Sequence, residues 1–242
     1  MPRLYCDLAL TPGDVVSLEA GAARHVQVLR LQPGDALTLF NGHGGEYDAQ
    51  VEHMGRQEVR VQVGEHHAIE REAPTAVHLV TGMPANERMD WLIEKATELG
   101  VQRLTPVMTE RSVLRLQGER AEKKLAHWHS IVVASSEQCG RNRLMTIDPV
   151  RTLSQWLREL TPEASQLRAV LSLSHAARPL GEMLAQQPTG TSWQLVSGPE
   201  GGLSATEESS LLDTGLQPVS LGARVLRAET AAIAAVTRLV LP

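Results

Sequence analysis

Aromatic side chains are scarce in this 242-residue chain, with four Trp, two Tyr and one Phe. So few rings argue against a stacking platform for unpaired nucleic acid. Cysteine is nearly absent. Cys6 and Cys139 stand far apart and no C-x-x-C or H-E-x-x-H spacing occurs, so neither a disulfide framework nor a metal site is expected. No run approaches the roughly 18 apolar residues of a membrane span. The opening Met-Pro-Arg-Leu-Tyr-Cys-Asp places an acidic residue where an export signal needs a continuous apolar stretch. A cytoplasmic protein with no membrane partner is the expectation. Positive charge is not in excess either: 23 Lys and Arg face 28 Asp and Glu, net −5, so no global field draws the chain onto a polyanion.

What is present reads as an ordinary folded protein, 42% hydrophobic and 21% charged. The length suits one large or two modest domains. Charge is unevenly spread. Residues 1–73 carry 6 basic and 11 acidic side chains, whereas residues 74–242 carry 17 of each. Within the second part, residues 111–143 hold seven Lys or Arg against three Glu. That stretch is either a polyanion footprint or a solvated helix face laced with ion pairs.

Patterning divides the chain near residue 73. Residues 36–40, 47–51 and 59–63 alternate apolar and polar positions, the period of half-buried strands, and Asn41-Gly-His-Gly-Gly45 supplies a turn between the first two. A short helix is expected over 22–31, and a linker over 65–74. From residue 76 short apolar strands (77–81, 103–107, 169–173, 194–197, 218–221) alternate with helical periods, which argues for a parallel sheet covered by helices. In residues 86–99, Met89, Leu92, Ile93, Ala96 and Leu99 share one stripe, with Asn86 as the expected N-cap and Gly100 past the end. A second helix, 119–138, carries Leu125, Trp128 and Val132 on one face. Ser204-Ala-Thr-Glu207 has the spacing of a capping box. The last helix, 230–241, is so apolar that it belongs in the core or against another subunit.

Two segments resist a purely structural explanation. Val196-Ser-Gly-Pro-Glu-Gly-Gly-Leu203 follows a predicted strand and leads into a capped helix, the place where an α/β sheet binds ligands. It matches neither G-x-G-x-x-G nor G-x-x-x-x-G-K-[ST], so a pyrophosphate cradle lacks its signature. Ser220-Leu-Gly-Ala-Arg-Val-Leu-Arg-Ala-Glu-Thr230 brings two arginines and a glutamate to another strand end. Those charges either serve a ligand or are structural, with Arg224 and Arg227 capping carbonyls or pairing with Glu229.

Gly198-Pro-Glu-Gly-Gly202 together with Leu221-Gly-Ala-Arg-Val-Leu-Arg-Ala-Glu-Thr-Ala231 resembles the signature loops of the RsmE family, SPOUT-class methyltransferases that methylate uridine in 16S ribosomal RNA. Arg3-Leu-Tyr5, His25-Val-Gln-Val-Leu-Arg30, Pro33-Gly-Asp35 and Phe40-Asn-Gly42 are similar to the family's N-terminal domain. Lys95-Ala-Thr-Glu-Leu-Gly100, Thr109-Glu-Arg-Ser112 and Glu137-Gln-Cys-Gly-Arg-Asn-Arg143 are similar to its catalytic half. Ser197, Ala228 and Met145 depart from the family pattern, Ala228 replacing a threonine whose hydroxyl would lie near the reacting groups.

The resemblance implies an α/β fold: a PUA-like RNA-binding β-barrel over 1–73 and a SPOUT methyltransferase domain over 74–242, its parallel sheet tied in a deep trefoil knot. It also implies a homodimer, 16S rRNA or the small ribosomal subunit as partner, and S-adenosylmethionine as cofactor. The cofactor would lie against Leu173, Gly198, Pro199, Glu200, Gly201, Gly202, Leu221, Gly222, Val225 and Leu226. The RNA would meet Arg3, Arg30, Arg111, Arg141 and Arg143, with marked salt sensitivity. Methyl transfer from a sulfonium needs no metal, but N3 of uridine must lose a proton. Glu229 is the candidate base and Arg227 the candidate cation for the developing charge, with Glu200 and Glu98 as alternative carboxylates. Two other readings stand beside the enzyme: a non-catalytic ribosome assembly factor on the same fold, and a different α/β enzyme of nucleotides.

Overall fold

The computed structural model describes residues 1–55, 58–161 and 165–241. Two compact units form, Met1–Glu72 with Val133–Leu144, and Ala73–Val132 with Met145–Pro242. The first is built from β1 (Arg3–Tyr5), β2 (Val15–Ser17), α1 (Ala20–Val28), β3 (Ala36–Phe40), β4 (Glu46–Met54) and β5 (Val59–His67). Its sheet runs in the order β1-β3-β4-β5-β2, with β1 and β3 parallel and the other pairs antiparallel. The expected alternation is present in β5: Val59, Val61 and Val63 are buried and the residues between them exposed. They close a core with Leu4, Val26, Leu37, Leu39 and Val51. The glycine-rich turn joins β3 to β4 as expected. The expected linker begins too early, because His66 and His67 continue β5 and pair with Tyr47 and Glu46.

Residues 133–144 are held to this sheet by polar contacts. The Tyr5 N–H donates to Glu137 Oε1 at 2.9 Å. Arg3 donates to Glu46 and, at 2.7 Å, to Asn142 Oδ1, and its guanidinium lies 5.0 Å from the Phe40 ring centre. Asn142 Nδ2 in turn donates to the Ile69 carbonyl at 2.6 Å. Arg141, buried, grips Glu72 through Nε at 3.0 Å and Nη2 at 2.6 Å. Hydrogen bonds from Arg71 above all, and then from Arg3 and Asn142, hold the Glu46 carboxyl down to about 2. Arg3 and Arg141, expected to meet RNA, are both engaged inside this unit with the half-buried carboxylates Glu46 and Glu72.

The second unit contains β6 (Val77–Gly82), α2 (Asn86–Glu98), β7 (Arg103–Met108), the start of α3 (Gly118–Cys139), β8 (Thr146–Ile147), β9 (Arg151–Thr152), α4 (Leu153–Glu159), β10 (Gln166–Leu171), β11 (Arg178–Pro179), α5 (Leu180–Leu184), β12 (Ser192–Ser197), α6 (Ala205–Asp213), β13 (Gln217–Ser220) and α7 (Ala228–Val240). The sheet is parallel, in the order β11-β13-β10-β12-β6-β7-β8, with β9 also on β7. β6, β7 and β12 are buried almost throughout, as strands covered on both faces must be. β10 ends at Leu171, two residues before the expected end. From β13 the chain returns as α7 to cover α2, β6 and β12. Ala232, Ala235, Val236, Leu239 and Val240 are buried there, so of the two places open to this helix it takes the core.

A polar ladder crosses the sheet. Arg168 Nε donates to Gln194 Oε1 at 3.2 Å, and Gln194 Nε2 lies 3.2 Å from His78 Nδ1. His78 Nε2 is 2.7 Å from Thr105 Oγ1, which donates to Asp148. Burial, with Arg103 nearby, pushes the His78 imidazole down to about 4.

Two outcomes follow from these buried groups. Arg141→Met strands Glu72 and should lower stability by about 3–5 kcal/mol in urea titration; a loss under about 1 kcal/mol would contradict the clamp. The unfolded His78 takes its proton near 6.5 and the native one near 4. Destabilisation on the order of 3 kcal/mol should therefore build as pH falls through that window and be absent above it. Thermal midpoints of His78→Gln should fall less steeply from pH 6.5 to 4 than those of the parent; parallel slopes would remove His78 from the account.

Candidate active site

β12 and β13 end in the two segments that the sequence singles out, and β10, between them in the sheet, ends just before Leu173. Since they are parallel, their carboxyl ends share one edge of the sheet. Leu173 lies two residues beyond β10 and is 76% exposed, as is Val225 in the loop after β13. Leu221 and Leu226 are half-buried. Gly222 turns the chain with φ 104°, a conformation open to glycine at little cost. The loop 198–202 sits directly on the end of β6. A Cβ at Gly82 would stand 2.5 Å from Pro199 Cδ and 2.8 Å from its backbone nitrogen, so only a glycine there admits the loop. Ser197, one of the departures from the family pattern, is buried and donates from Oγ to Thr81 Oγ1 at 3.1 Å. Ser204 and Glu207 form the expected capping box that starts α6.

The charged groups of these loops converge. Glu229, in the first turn of α7, is buried. Its Oε1 lies 3.8 Å from Arg88 Nε, while Oε2 has no hydrogen-bond partner. Arg88 Nη1 donates to Glu200 Oε1 at 3.3 Å, and the same oxygen accepts from the Ala85 N–H at 2.9 Å. One guanidinium from α2 thus joins the loop after β12 to the start of α7. The expected cap is corrected here: the N-cap of α2 is Ala85, without a side-chain bond, and Asn86 lies inside the helix. The Glu200 carboxylate, from a distant part of the chain, accepts from the Ala85 N–H at this helix start, where the helix dipole favours an anion.

Sequence reasoning missed Arg88. The available signal was a cation in the first turn of a helix, which the dipole disfavours unless anions face it. The alternative pairing of Arg224 or Arg227 with Glu229 is not what forms: among the described residues neither arginine makes an ion pair, and Arg227, exposed, is the backbone N-cap of α7. Glu98 is at the other end of α2, bound to Lys95 at 2.8 Å. Arg111 Nη1 donates to the Gly201 carbonyl at 3.0 Å. In the first unit, Arg143 is exposed and 3.3 Å from Glu70. Arg30, exposed, ends α1 in the left-handed region at φ 57°.

A polar cleft of about 590 Å³ opens at the opposite, amino edge of the sheet, beside His78, Arg103 and Asp148. None of the sequence-predicted site residues lines it. The buried unpartnered carboxylate oxygen and the exposed apolar side chains mark the carboxyl edge instead. No helix among the described residues is long and apolar enough to cross a membrane.

Comparison with known proteins agrees with this geometry. The RNA methyltransferase domain family matches residues 71–240, and the RNA methyltransferase PUA domain family residues 18–64. The ribosomal RNA small subunit methyltransferase E of Synechocystis is 33% identical over 93% of this chain and 72% of its own length. The same-named protein of Neisseria gonorrhoeae, solved bound to S-adenosyl methionine, superposes with a TM-score of 0.90 at 34% identity, covering 98% of this chain and 95% of the other. A Legionella pneumophila protein solved in complex with the cofactor SAM gives a TM-score of 0.90 at 36% identity, covering 98% and 96%. The parallel α/β domain with a small PUA-type sheet, expected from the sequence, is the fold observed, and the chain belongs to the RsmE family of RNA methyltransferases.

Proposed function

We propose that this protein transfers a methyl group from S-adenosylmethionine to N3 of a uridine in 16S rRNA, free or in the small ribosomal subunit, in the cytoplasm. Residues 74–242 carry the chemistry and residues 1–73 contact RNA. The chain works as a homodimer, and the return of α7 across the sheet closes the trefoil knot that the family resemblance implies. The observation that carries the reading is the junction at Arg88, which brings the loop 198–202 and Glu229 to one place at the carboxyl edge.

The edge suits the cofactor. Leu173 and Val225 leave apolar surface uncovered there, enough to sandwich an adenine, with Leu221 and Leu226 beneath. Backbone groups of Gly198, Pro199, Glu200, Gly201, Gly202 and Gly222 are within reach of the polar parts of a nucleoside. When bound, S-adenosylmethionine supplies a methyl group already activated by its sulfonium charge. The remaining work falls to the protein. Alignment of the reacting atoms is worth roughly 7–11 kcal/mol. Glu229 Oε2, buried and without a donor, is the acceptor for the N3 proton. Arg227, exposed at the start of α7, supports the charge that then spreads over the neighbouring carbonyl oxygens.

RNA contacts fall to Arg30 and Arg143 in the first unit and Arg111 in the second. Arg30 occupies a backbone conformation that costs a non-glycine residue roughly 1–2 kcal/mol, and helices usually end there on glycine. An arginine retained at that cost fits a contact outside the fold.

Glu229→Gln and Arg227→Ala should each slow methyl transfer by about 10²–10⁴-fold while S-adenosylmethionine still binds with an affinity within a few-fold of the parent's. Unchanged turnover in both variants would remove the proposed roles.

A further inference from the structure

We infer that Arg88 is a positioning residue for methyl transfer: its guanidinium ties the loop after β12 to the start of α7 and orients Glu229 by an ion pair on the Oε1 side, leaving Oε2 without a partner. The inference rests on the reading of Glu229 as the acceptor of the uridine proton. It goes beyond that reading by assigning the group that makes the carboxylate usable.

Glu229 is 9% exposed. A buried carboxylate without a cation is strongly disfavoured, and the cation within ion-pair distance of Glu229 among the described residues is Arg88, at 3.8 Å. The pairing is one-sided. Nε faces Oε1, and no donor reaches Oε2. A bidentate grip would engage both oxygens and make the carboxylate a poorer proton acceptor. Nη1 is turned to Glu200 Oε1 at 3.3 Å instead. Glu200 is in turn fixed by the Ala85 N–H at 2.9 Å. The two carboxylates thus compete for one guanidinium, and the outcome is an oriented Glu229 with one unpaired oxygen. Arg88 is itself 40% exposed in its side chain, so its role acts through Glu229 and Glu200 rather than through burial of its own charge.

The test is a double-mutant cycle read by single-turnover methyl transfer, with S-adenosylmethionine and small ribosomal subunits that lack the modification. Arg88→Met should slow the reaction at least about tenfold while donor affinity stays within about threefold and the thermal midpoint within a few degrees. Arg88→Lys, which keeps the charge, should recover most of that loss. In the Glu229→Gln background Arg88→Met should cost less than about threefold further, because residues acting through one another are not additive. An Arg88→Met enzyme as fast as the parent overturns the inference. So do additive losses in the cycle, or equal losses in the Met and Lys variants that track a fall in thermal midpoint. If Glu229→Gln alone is fully active, the reading of Glu229 as proton acceptor fails, and this inference fails with it. If Glu229→Gln is impaired but Arg88→Met is silent or additive, only the inference fails.

Discussion

A single guanidinium shared by two carboxylates organises the carboxyl edge of the sheet. Glu200 lies in the loop after β12 and Glu229 in the first turn of α7, and the buried Glu229 would be costly to hold without a cation. Arg88 lies between them, 3.3 Å from one and 3.8 Å from the other. Because α2 begins right after β6, its first turn stands where the loop from β12 passes over Gly82. The parallel sheet delivers the loops to one side, and the ion pairs fix how they face each other there.

The same electrostatic economy shapes the first unit. It carries the acidic excess of the chain, and the 133–144 segment brings basic residues to it. Arg141 answers Glu72, Arg143 answers Glu70, and Asn142 shares Glu46 with Arg3 and Arg71. A basic run that composition alone presents as a polyanion footprint is thereby divided. Arg141 is turned inward, Lys123 makes an exposed pair with Glu119 one helical turn away, and Lys124 reaches Asp90. Arg30, Arg111 and Arg143 remain with exposed surface.

Periodicity made the architecture legible. The alternation of Val59, Val61 and Val63, the stripe of Met89, Leu92, Ile93 and Ala96, and the capping box at Ser204 all stand as read, because each is a local pattern whose burial depends on the element alone. The glycine-rich loop 198–202 was legible for a similar reason, since only close backbone approach calls for such a run after a strand. Pairings between distant residues were not. Nothing local distinguishes Arg3 or Arg141 from a surface arginine until Glu46 and Glu72 are placed beside them. The N-cap of α2 falls one residue earlier than Asn86, at Ala85, whose N–H donates to Glu200 by a contact that no window along the chain contains. Arg88 stayed invisible for that reason too.

The central physical claim is that the segments following β10, β12 and β13 form one binding edge for a sulfonium donor. Amide hydrogen exchange measured with and without saturating S-adenosylmethionine tests it most directly. Slowed exchange concentrated in residues 172–177, 198–203 and 221–229 is the predicted result. No slowing there, or slowing confined to the amino-edge cleft around His78 and Arg103, would contradict it.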